Sequence, residues 1–275
     1  MKRLKVEVKE VEKVKRDVYR LSLHSPYLAQ QSYPGQFIHL RIPPLRKKEE
    51  EGELFRNSYP LLRRPFSIHR VSQDEIYILF KIRGRGTKIL AQCKEGEYLD
   101  VLGPLGRGFN YTLDVNCYQR YILLGGGIGV APLLFLGEKL GEKKGFPSVF
   151  VLLGAKQKEE VLCEENFLSL GFKVMVATDD GSKGFKGTVV NLLSAQIASW
   201  GDRVRSKVYA CGPREMIYEF AHMVKKFPWV DGEVLVEEVM ECGIGACCSC
   251  VVRTKEGYKK VCKEGPVFKV HEILF

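Results

Sequence analysis

The sequence predicts an antiparallel β-barrel, then a doubly wound parallel α/β sheet, then a small cysteine-rich segment. Residues 1–112 carry short runs of alternating apolar residues separated by turn residues, a pattern typical of barrels and sandwiches. From about residue 118, apolar strands alternate with helical patterns, which favours a parallel sheet. Residues 237–275 are rich in Cys and Gly and poor in apolar residues, so we expect their order to depend on a metal.

Each strand of the first part is predicted from β-branched or aromatic residues in alternation. The predicted strands are residues 6–14, 19–23, 37–42, 66–68, 76–80 and 98–102. Residues 46–53 form a charged segment with both signs present, which we interpret as a solvated loop.

In the second part the strands are short apolar runs and the helices follow them. The predicted strands are residues 121–124, 149–153, 173–177, 207–210 and 234–236. Helical patterns run from a glycine loop to Lys144 and over residues 159–170. Thr188 is suited to cap a helix that ends near Ser199, and Pro213 suits the first turn of another.

Length and composition support this organisation. A chain of 275 residues fits two domains and an appendage, and we predict domains at 1–113, 114–232 and 233–275. The hydrophobic content of 45% excludes a disordered chain. The net charge of +10 could attract nucleic acid or an acidic protein, but it describes the surface field alone.

No membrane span or secretory signal is expected. The N-terminus is charged throughout and has no apolar core. The longest uncharged stretch, residues 121–137, is shorter than the ~20 residues that cross a bilayer. The nine cysteines are partly clustered near the C-terminus, unlike a secreted disulfide scaffold, so we expect a reducing, cytoplasmic compartment.

The clustered cysteines are the strongest chemical signal. Their pattern is Cys242-x4-Cys247-x2-Cys250-x11-Cys262, the spacing of plant-type ferredoxins that hold a [2Fe–2S] cluster through four thiolates. Gly243 and Gly245 permit unusual backbone angles and a close approach of N–H groups to sulfur.

Two other interpretations of the cysteines remain open, structural zinc and inert buried thiols. Zinc sites usually come as two separated cysteine pairs or Cys/His mixtures, whereas here there is one close pair. Cys248 neighbours a ligand position, and we leave it out of the predicted ligand set.

Three segments of the barrel region are candidates for binding a flavin. Arg64-Pro65-Phe66-Ser67 offers a guanidinium for a diphosphate, an aromatic ring and a hydroxyl, although a buried Phe beside a surface Arg is commoner. Gly84-Arg85-Gly86-Thr87 precedes a helix that Thr87 is predicted to cap, and such a terminus binds anions. The third segment is the turn Gly103-Pro104-Leu105-Gly106.

The α/β region contains a second glycine-rich segment. Residues 125–132 (GGGIGVAP) follow a strand and open a helix, the context for binding a nucleotide phosphate, although the G-x-G-x-x-G pattern is absent. Cys211-Gly212-Pro213 follows a later strand, where ligands of such sheets bind, but Cys211 also fits a small buried hydrophobe. Residues 178–181 (TDDG) end a strand. Two interpretations are open for them: contact with the ribose of a nucleotide, or a turn without a ligand.

These segments, in this order, resemble the ferredoxin-reductase superfamily. The C-terminal cysteine motif narrows the resemblance to the electron-transfer subunits of class 1B dihydroorotate dehydrogenases, over nearly all of the chain. The segments that carry it are LLRRPFSI at 61–68, GRGTKIL at 84–90, LLGGGIGVAPL at 123–133, CGP at 211–213 and ECGIGACCSC at 241–250.

The resemblance implies an oxidoreductase subunit with FAD, one [2Fe–2S] cluster and NAD+ as electron acceptor. It implies a catalytic partner subunit with FMN that oxidises dihydroorotate in pyrimidine biosynthesis, in a heterotetramer with two copies of each subunit, and neither nucleic acid nor a membrane as partner. By carry-over, the FAD residues are Arg64, Pro65, Phe66, Ser67, Gly84, Gly86 and Thr87. The nicotinamide nucleotide residues are Gly126, Gly127, Gly129, Cys211 and Gly212, and the cluster ligands are Cys242, Cys247, Cys250 and Cys262.

The sequence leaves several alternatives open. Many superfamily members have Tyr where this chain has Phe66, which keeps the ring but loses the hydroxyl. Lys156 and Lys158 follow a strand and could reach the 2′-phosphate of NADP, so NAD is a preference only. Rival functions are the flavin subunit of a hydrogenase, sulfide reductase or ferredoxin reductase, and a nucleic-acid-binding zinc protein. The last leaves both glycine loops unexplained.

Overall fold

The computed structural model describes residues 1–43, 60–112, 117–143, 148–201 and 204–274. The charged segment 46–53 and the predicted boundary between residues 113 and 114 lie outside the described residues. Within the described residues no helix is long and apolar enough to cross a membrane.

The N-terminal half forms an antiparallel sheet of seven strands in the order β4-β3-β7-β1-β2-β6-β5. The strands are β1 (Lys2–Lys15), β2 (Val18–His24), β3 (Phe37–Arg41), β4 (Arg64–Ser67), β5 (Arg70–Ser72), β6 (Glu75–Lys81) and β7 (Tyr98–Leu105). Alternate residues of these strands point inward and build one apolar core, which includes Val8, Leu21, Leu40, Ile78 and Val101.

The sheet curls until its two edges meet. The first and last strands in its order, β4 and β5, are separated in the chain by Ile68 and His69 alone. The N–H of Ile68 donates to Gln36 beside β3, and the N–H of His69 donates to Tyr77 in β6. These bonds extend the pairing of β4 with β3 and of β5 with β6 as far as residues 68–69, where the chain itself connects the two edge strands. Bringing the edges of a sheet together is how a barrel limits unpaired strand edges.

Two short helices, α1 (Pro26–Gln31) and α2 (Arg85–Leu90), accompany the barrel. The predicted cap of α2 was wrong, because Gly84 is the N-cap and Thr87 lies three positions into the helix. The Thr87 hydroxyl accepts the N–H groups of Arg83 and Gly84 and donates to the Gly84 carbonyl. Thr87 therefore closes the start of the helix from inside it.

The second sheet is parallel and has helices on both faces. Its strands are β8 (Arg120–Gly126), β9 (Ser148–Ala155), β10 (Lys173–Thr178), β11 (Phe185–Lys186), β12 (Ser206–Cys211) and β13 (Val230–Leu235), with helices α3 (Ala131–Gly141), α4 (Glu164–Ser169), α5 (Val189–Trp200) and α6 (Arg214–Val224). Their order is β11-β10-β9-β8-β12-β13. From β8 the chain adds β9, β10 and β11 on one side and then β12 and β13 on the other, so the strand order reverses between β8 and β12. Ligands of such sheets bind at this point.

The boundaries differ from the prediction in two places. Gly125 and Gly126 belong to β8 rather than to a loop, and a short 3₁₀ turn at Gly127–Val130 precedes α3. The predicted helix over residues 159–170 is broken into a 3₁₀ turn at Lys158–Glu160 and α4. The break occurs because Cys163 adopts left-handed backbone angles (φ +61°).

The C-terminal segment contains the hairpin β14 (Val251–Thr254) and β15 (Gly257–Lys260), the short helix α7 (Val261–Glu264), and β16 (Val267–Lys269). Strand β16 pairs antiparallel with β13 and so adds an edge to the parallel sheet. The cysteine loop, residues 241–250, is thereby held between β13 and the hairpin.

Candidate functional site

A cavity of about 250 Å³ lies between the barrel and the parallel sheet. From the barrel it is lined by residues of β4 and β6 and by Thr87 at the start of α2. From the other side it is lined by Ile128, Ala131 and Pro132, by Leu235 at the end of β13, and by Val236, Glu237, Glu238 and Met240 after that strand. The cavity is therefore a junction of the barrel, the glycine segment and the chain that leads to the cysteine loop.

Some of the predicted flavin residues line this cavity. Pro65, Phe66, Ser67 and Thr87 are among its lining residues, whereas Arg64, Gly84 and Gly86 are not. Phe66 packs edge-on against Phe80 with ring centroids 5.8 Å apart. The Arg64 side chain is exposed and donates to the carbonyls of Leu62 and Arg63. Its guanidinium therefore keeps free N–H groups at the surface beside the cavity.

A second, larger cavity of about 950 Å³ opens at the carboxyl ends of the parallel strands. Gly126, Gly127, Gly129 and Gly212 line it, and so does Thr188, the N-cap of α5. The cavity spans the gap between β8 and β12, where the order of the strands in the sheet reverses. Its size fits a small-molecule ligand site.

The glycines of this cavity have different reasons to be glycine. A methyl group on Gly129 would lie 2.5 Å from the Cα atom of Gly212, so these two segments pack backbone against backbone. Gly127 has open space around it and adopts a φ of +53°, which favours glycine. Gly129 thus allows the two loops to pack closely, and Gly127 leaves its backbone accessible from the cavity.

Cys211 lines neither cavity, although its neighbour Gly212 lines the second. Its side chain is fully buried, and burial raises the pKa of its thiol well above the usual range. Glu237 is the nearby charged group that adds to this effect.

Glu237 is a site residue that the sequence reasoning missed. It lines both cavities and so lies where their contents would meet. Its carboxyl is open to the cleft yet surrounded by protein. The resulting desolvation raises its pKa, and the charge of Arg83 opposes that rise. No sequence motif surrounds Glu237, and its place directly after a strand end was the only available signal.

The two aspartates that follow β10 have different surroundings. Asp179 lines the second cavity. Asp180 accepts the N–H and hydroxyl of Ser182 and so closes a turn. Lys156 and Glu159 also line the cavity, whereas Lys158 does not. The cavity therefore contains charges of both signs at this end.

The cysteine loop is shaped by glycines with positive φ angles, +71° at Gly243 and +83° at Gly245. The backbone N–H groups of Ile244 and Cys247 point at the sulfur of Cys242, each at 3.5 Å. Burial opposes ionisation of Cys242, but these amide donors outweigh it and lower the pKa of the thiol to about 6. The loop therefore favours a thiolate at this position.

The donor set fits a cluster with two irons. The thiols interact in two pairs, Cys242 with Cys247 and Cys250 with Cys262, and the N–H of Cys262 points at the sulfur of Cys250 at 3.4 Å. Amide donors aimed at ligand sulfurs are a feature of iron–sulfur sites. In the part of the chain that the structure describes, no three Cys, His, Asp or Glu side chains are gathered closely enough to hold a metal ion, so the cluster is supported by the cysteine spacing and by the amide donors.

The antiparallel barrel, the doubly wound parallel sheet and the cavity between them define an oxidoreductase of the ferredoxin-reductase class. Residues 123–222 match the model of the oxidoreductase NAD-binding domain, and residues 237–274 match that of the iron–sulfur cluster binding domain of dihydroorotate dehydrogenase B. The chain belongs to the family of dihydroorotate dehydrogenase B (NAD(+)) electron transfer subunits, as its full-length relatives establish. The predicted fold class and family resemblance are thus confirmed.

The relatives of that name cover almost the whole chain. The subunit from Desulforamulus reducens is 40% identical over 265 residues, 94% of this chain and 93% of its own. The Geobacillus sp. subunit is 37% identical over 280 residues, which cover 100% of this chain and 99% of its own. The family name, electron transfer subunit, implies a partner that carries out the dehydrogenation.

Solved structures share the fold. An NADH-dependent reduced ferredoxin–NADP oxidoreductase, described for flavin-based electron bifurcation, has a TM-score of 0.80 and 27% identity, over 98% of this chain and 89% of that chain. A ferredoxin NADP+ reductase from Neisseria gonorrhoeae with bound FAD and NADP has a TM-score of 0.63 and 14% identity, over 85% of this chain and 99% of that chain. The second likeness concerns the fold alone.

Proposed function

We propose that this chain carries electrons from a dihydroorotate-oxidising partner subunit, by way of a [2Fe–2S] cluster and FAD, to NAD+, as a step of pyrimidine biosynthesis. The observation that carries the proposal is the first cavity, which the barrel, the glycine segment and the chain leading to the cysteine loop all line. Three redox sites would thus meet around one cavity.

The residues proposed to hold each group follow from their positions. Pro65, Phe66, Ser67 and Thr87 would hold the flavin ring system, with Arg64, Gly84 and Gly86 at its diphosphate. Gly126, Gly127, Gly129 and Gly212 would face the nicotinamide nucleotide, with Cys211 buried behind them. The ligands proposed for the cluster are Cys242, Cys247, Cys250 and Cys262. When bound, the flavin supplies the exchange between two-electron hydride chemistry and one-electron transfer.

The partner is proposed to dock beside the cysteine loop, because electrons must enter there. Two apolar side chains flanking the first loop cysteine are exposed, Val239 at 77% and Ile244 at 46%. These two side chains are assigned to the partner surface because both lie within three residues of Cys242, where electrons would enter. The partner is proposed to contain FMN and to form a heterotetramer with two copies of each subunit.

The docking proposal is tested by placing charge on this face. We expect V239D combined with I244D to abolish co-elution with an FMN-containing catalytic subunit and to leave the visible spectrum of the chain unchanged. L168D is the matched control, because Leu168 is 52% exposed but lies on α4, within the parallel-sheet half. Co-elution of the double variant at the wild-type level would contradict the docking proposal.

The function is tested by reconstituting the two chains. We expect the complex to reduce NAD+ with dihydroorotate, and the catalytic subunit alone to show no such activity. A C250S variant should lose the NAD+ activity of the complex, because Cys250 is a proposed ligand. NAD+ reduction by the complex at the wild-type rate after that change would contradict the proposed electron route.

A second candidate function rests on the structural likeness to the NADH-dependent reduced ferredoxin–NADP oxidoreductase. In that case the chain would exchange electrons with reduced ferredoxin and not with a dihydroorotate-oxidising partner. The two candidates are separated by assaying flavin reduction with each donor. Reduction by reduced ferredoxin without the catalytic subunit, and no reduction by the dihydroorotate complex, would favour the second.

A further inference from the structure

A buried histidine of the barrel lies against the cysteine loop. His39 is in the middle of β3, and its side chain is fully buried. It pairs directly with Pro65 of β4, so the two side chains project from the same face of the sheet. Pro65 lines the first cavity. His39 therefore connects the strand that lines this cavity with the loop that holds the cysteines.

The contact with the loop is made at Gly243, the residue after Cys242. A methyl group on Gly243 would lie 2.5 Å from Nδ1 and 3.2 Å from Cε1 of His39. Gly243 also has a φ of +71°. The imidazole therefore occupies the space that a side chain at Gly243 would need.

The two ring nitrogens of His39 are buried and lack well-formed hydrogen bonds. Neither nitrogen makes a hydrogen bond of good geometry with any residue that the structure describes. Burial is the main cause that lowers the pKa of His39, and the nearby backbone acceptors of Cys242 and Met240 oppose it. A neutral imidazole carries one N–H donor and one acceptor nitrogen. A buried N–H without a partner is destabilising, so the structure favours a hydrogen bond from this ring to the loop.

We propose that His39 is a positioning residue for the iron–sulfur centre: its imidazole N–H donates to the backbone carbonyl of Cys242 and so fixes the cysteine loop to the cavity-lining strand. The inference rests on the proposed function, because it concerns the same cysteines. Hydrogen bonds around the ligand sulfurs help to set the reduction potential of such a cluster. The donors to the Cys242 sulfur are the N–H groups of Ile244 and Cys247 in the same loop. Removing the N–H of His39 is expected to let that loop shift, and so to change these hydrogen bonds and the potential.

The test uses three variants of the full chain. H39L removes the N–H and keeps a side chain of similar size, whereas H39Q keeps an N–H donor. H69L is the matched control, because His69 is also a buried barrel histidine, but its Nδ1 contacts the Ala131 carbonyl at 2.7 Å. Iron, acid-labile sulfide and FAD are measured per chain, and the cluster potential is measured by EPR-monitored redox titration.

We expect H39L to keep its FAD and to change the ratio of reduced to oxidised cluster at a fixed potential at least tenfold, about 59 mV for a one-electron couple. H39Q and H69L are expected to stay within threefold of the wild-type ratio. An H39L protein with the wild-type potential and the wild-type iron content would overturn the inference.

The remaining outcomes also decide the question. If H39L loses FAD as well as iron, H39Q carries the test: a wild-type potential supports a role for the N–H, and a potential shifted tenfold overturns it. A wild-type chain that binds FAD but no iron after reconstitution would overturn the proposed function itself. That result differs from the one that would overturn the role of His39 alone, in which the iron content and the cluster potential of H39L both equal those of the wild type.

Discussion

Among single residues, Glu237 is one of four that line both cavities, with Lys81, Arg83 and Ile128, and it is the acidic one. Its carboxylate would face the nicotinamide ring, which is positive in NAD+ and neutral in NADH. We expect E237Q to weaken NAD+ binding relative to NADH binding by about fivefold, or ~1 kcal/mol for a charge interaction at an accessible site. The Kd values are measured by titrating the flavin spectrum. E238Q is the control, because Glu238 lines the first cavity but not the second. If E237Q weakened the binding of NAD+ and NADH equally, the proposed role of its charge would be contradicted.

A second prediction at this scale concerns pH and His69. Burial lowers its pKa from 6.5 to about 4 in the folded chain. Between pH 6.5 and 4 the unfolded chain therefore binds a proton that the folded chain does not, and the free energy of unfolding falls by about 3 kcal/mol as the pH decreases. Above pH 6.5 this term is constant.

The pH prediction is checked by urea unfolding of wild type and H69L at several pH values. H69L should be less stable overall, because the Ala131 carbonyl loses its partner, but its stability should fall less steeply between pH 6.5 and 4. His39, whose pKa is also lowered, contributes to the slope of both proteins. Parallel pH curves for the two proteins would contradict the assignment.

Among the elements, the two loops at the carboxyl end of the parallel sheet depend on each other. A methyl group on Gly129 would lie 2.5 Å from Gly212 Cα and 2.7 Å from its nitrogen, so the backbones would have to separate. We expect G129A to weaken NADH binding at least tenfold and to leave the iron content unchanged. G141A is the control, because its nearest contact would be an ordinary 3.6 Å to Phe172. Unchanged NADH affinity in G129A would contradict the packing argument.

The opposite end of the sheet holds a buried ion cluster. Lys207 on β12 lies 2.9 Å from Asp231 and 3.2 Å from Glu233, both on β13. K207M would leave the buried Glu233 carboxylate without this positive partner, although it keeps the Asn110 N–H as a donor. We therefore expect K207M to lower the free energy of unfolding by about 3 kcal/mol. K139M, which breaks an exposed pair on α3, should cost less than about 1 kcal/mol. Equal effects in urea unfolding would contradict the importance of burial.

This cluster also predicts acid sensitivity. Burial would raise the pKa of Asp231, but Lys207 outweighs it and holds that pKa below the usual 3.8. The stabilisation is therefore complete above about pH 4 and is lost as the pH falls further.

For the whole molecule, the sequence predicted the fold class because local patterns determine it. Strand alternation in the barrel and the strand–helix rhythm after residue 118 are each visible within a short window. The pairing of β16 with β13 was missed, because it depends on a contact between segments about 35 residues apart. The break before α4 was missed because nothing in the sequence marks Cys163 as left-handed.

The candidate site was predicted in part for the same reason. Motif residues such as Ser67 and Gly127 were visible because their spacing has a physical meaning. Glu237 and His39 belong to no motif and gain their places only when the sheet, the barrel and the cysteine loop come together. The domain boundaries remain a prediction, and one of them falls outside the described residues.

The central claim is that one chain brings a flavin, a nicotinamide nucleotide and an iron–sulfur cluster together. The most direct measurement is the anaerobic visible absorption spectrum of the purified, reconstituted chain before and after NADH is added. The account predicts a flavin band with a broad iron–sulfur shoulder, both bleached by NADH. A colourless chain that contains zinc, or a flavin band that NADH leaves unchanged, would contradict it.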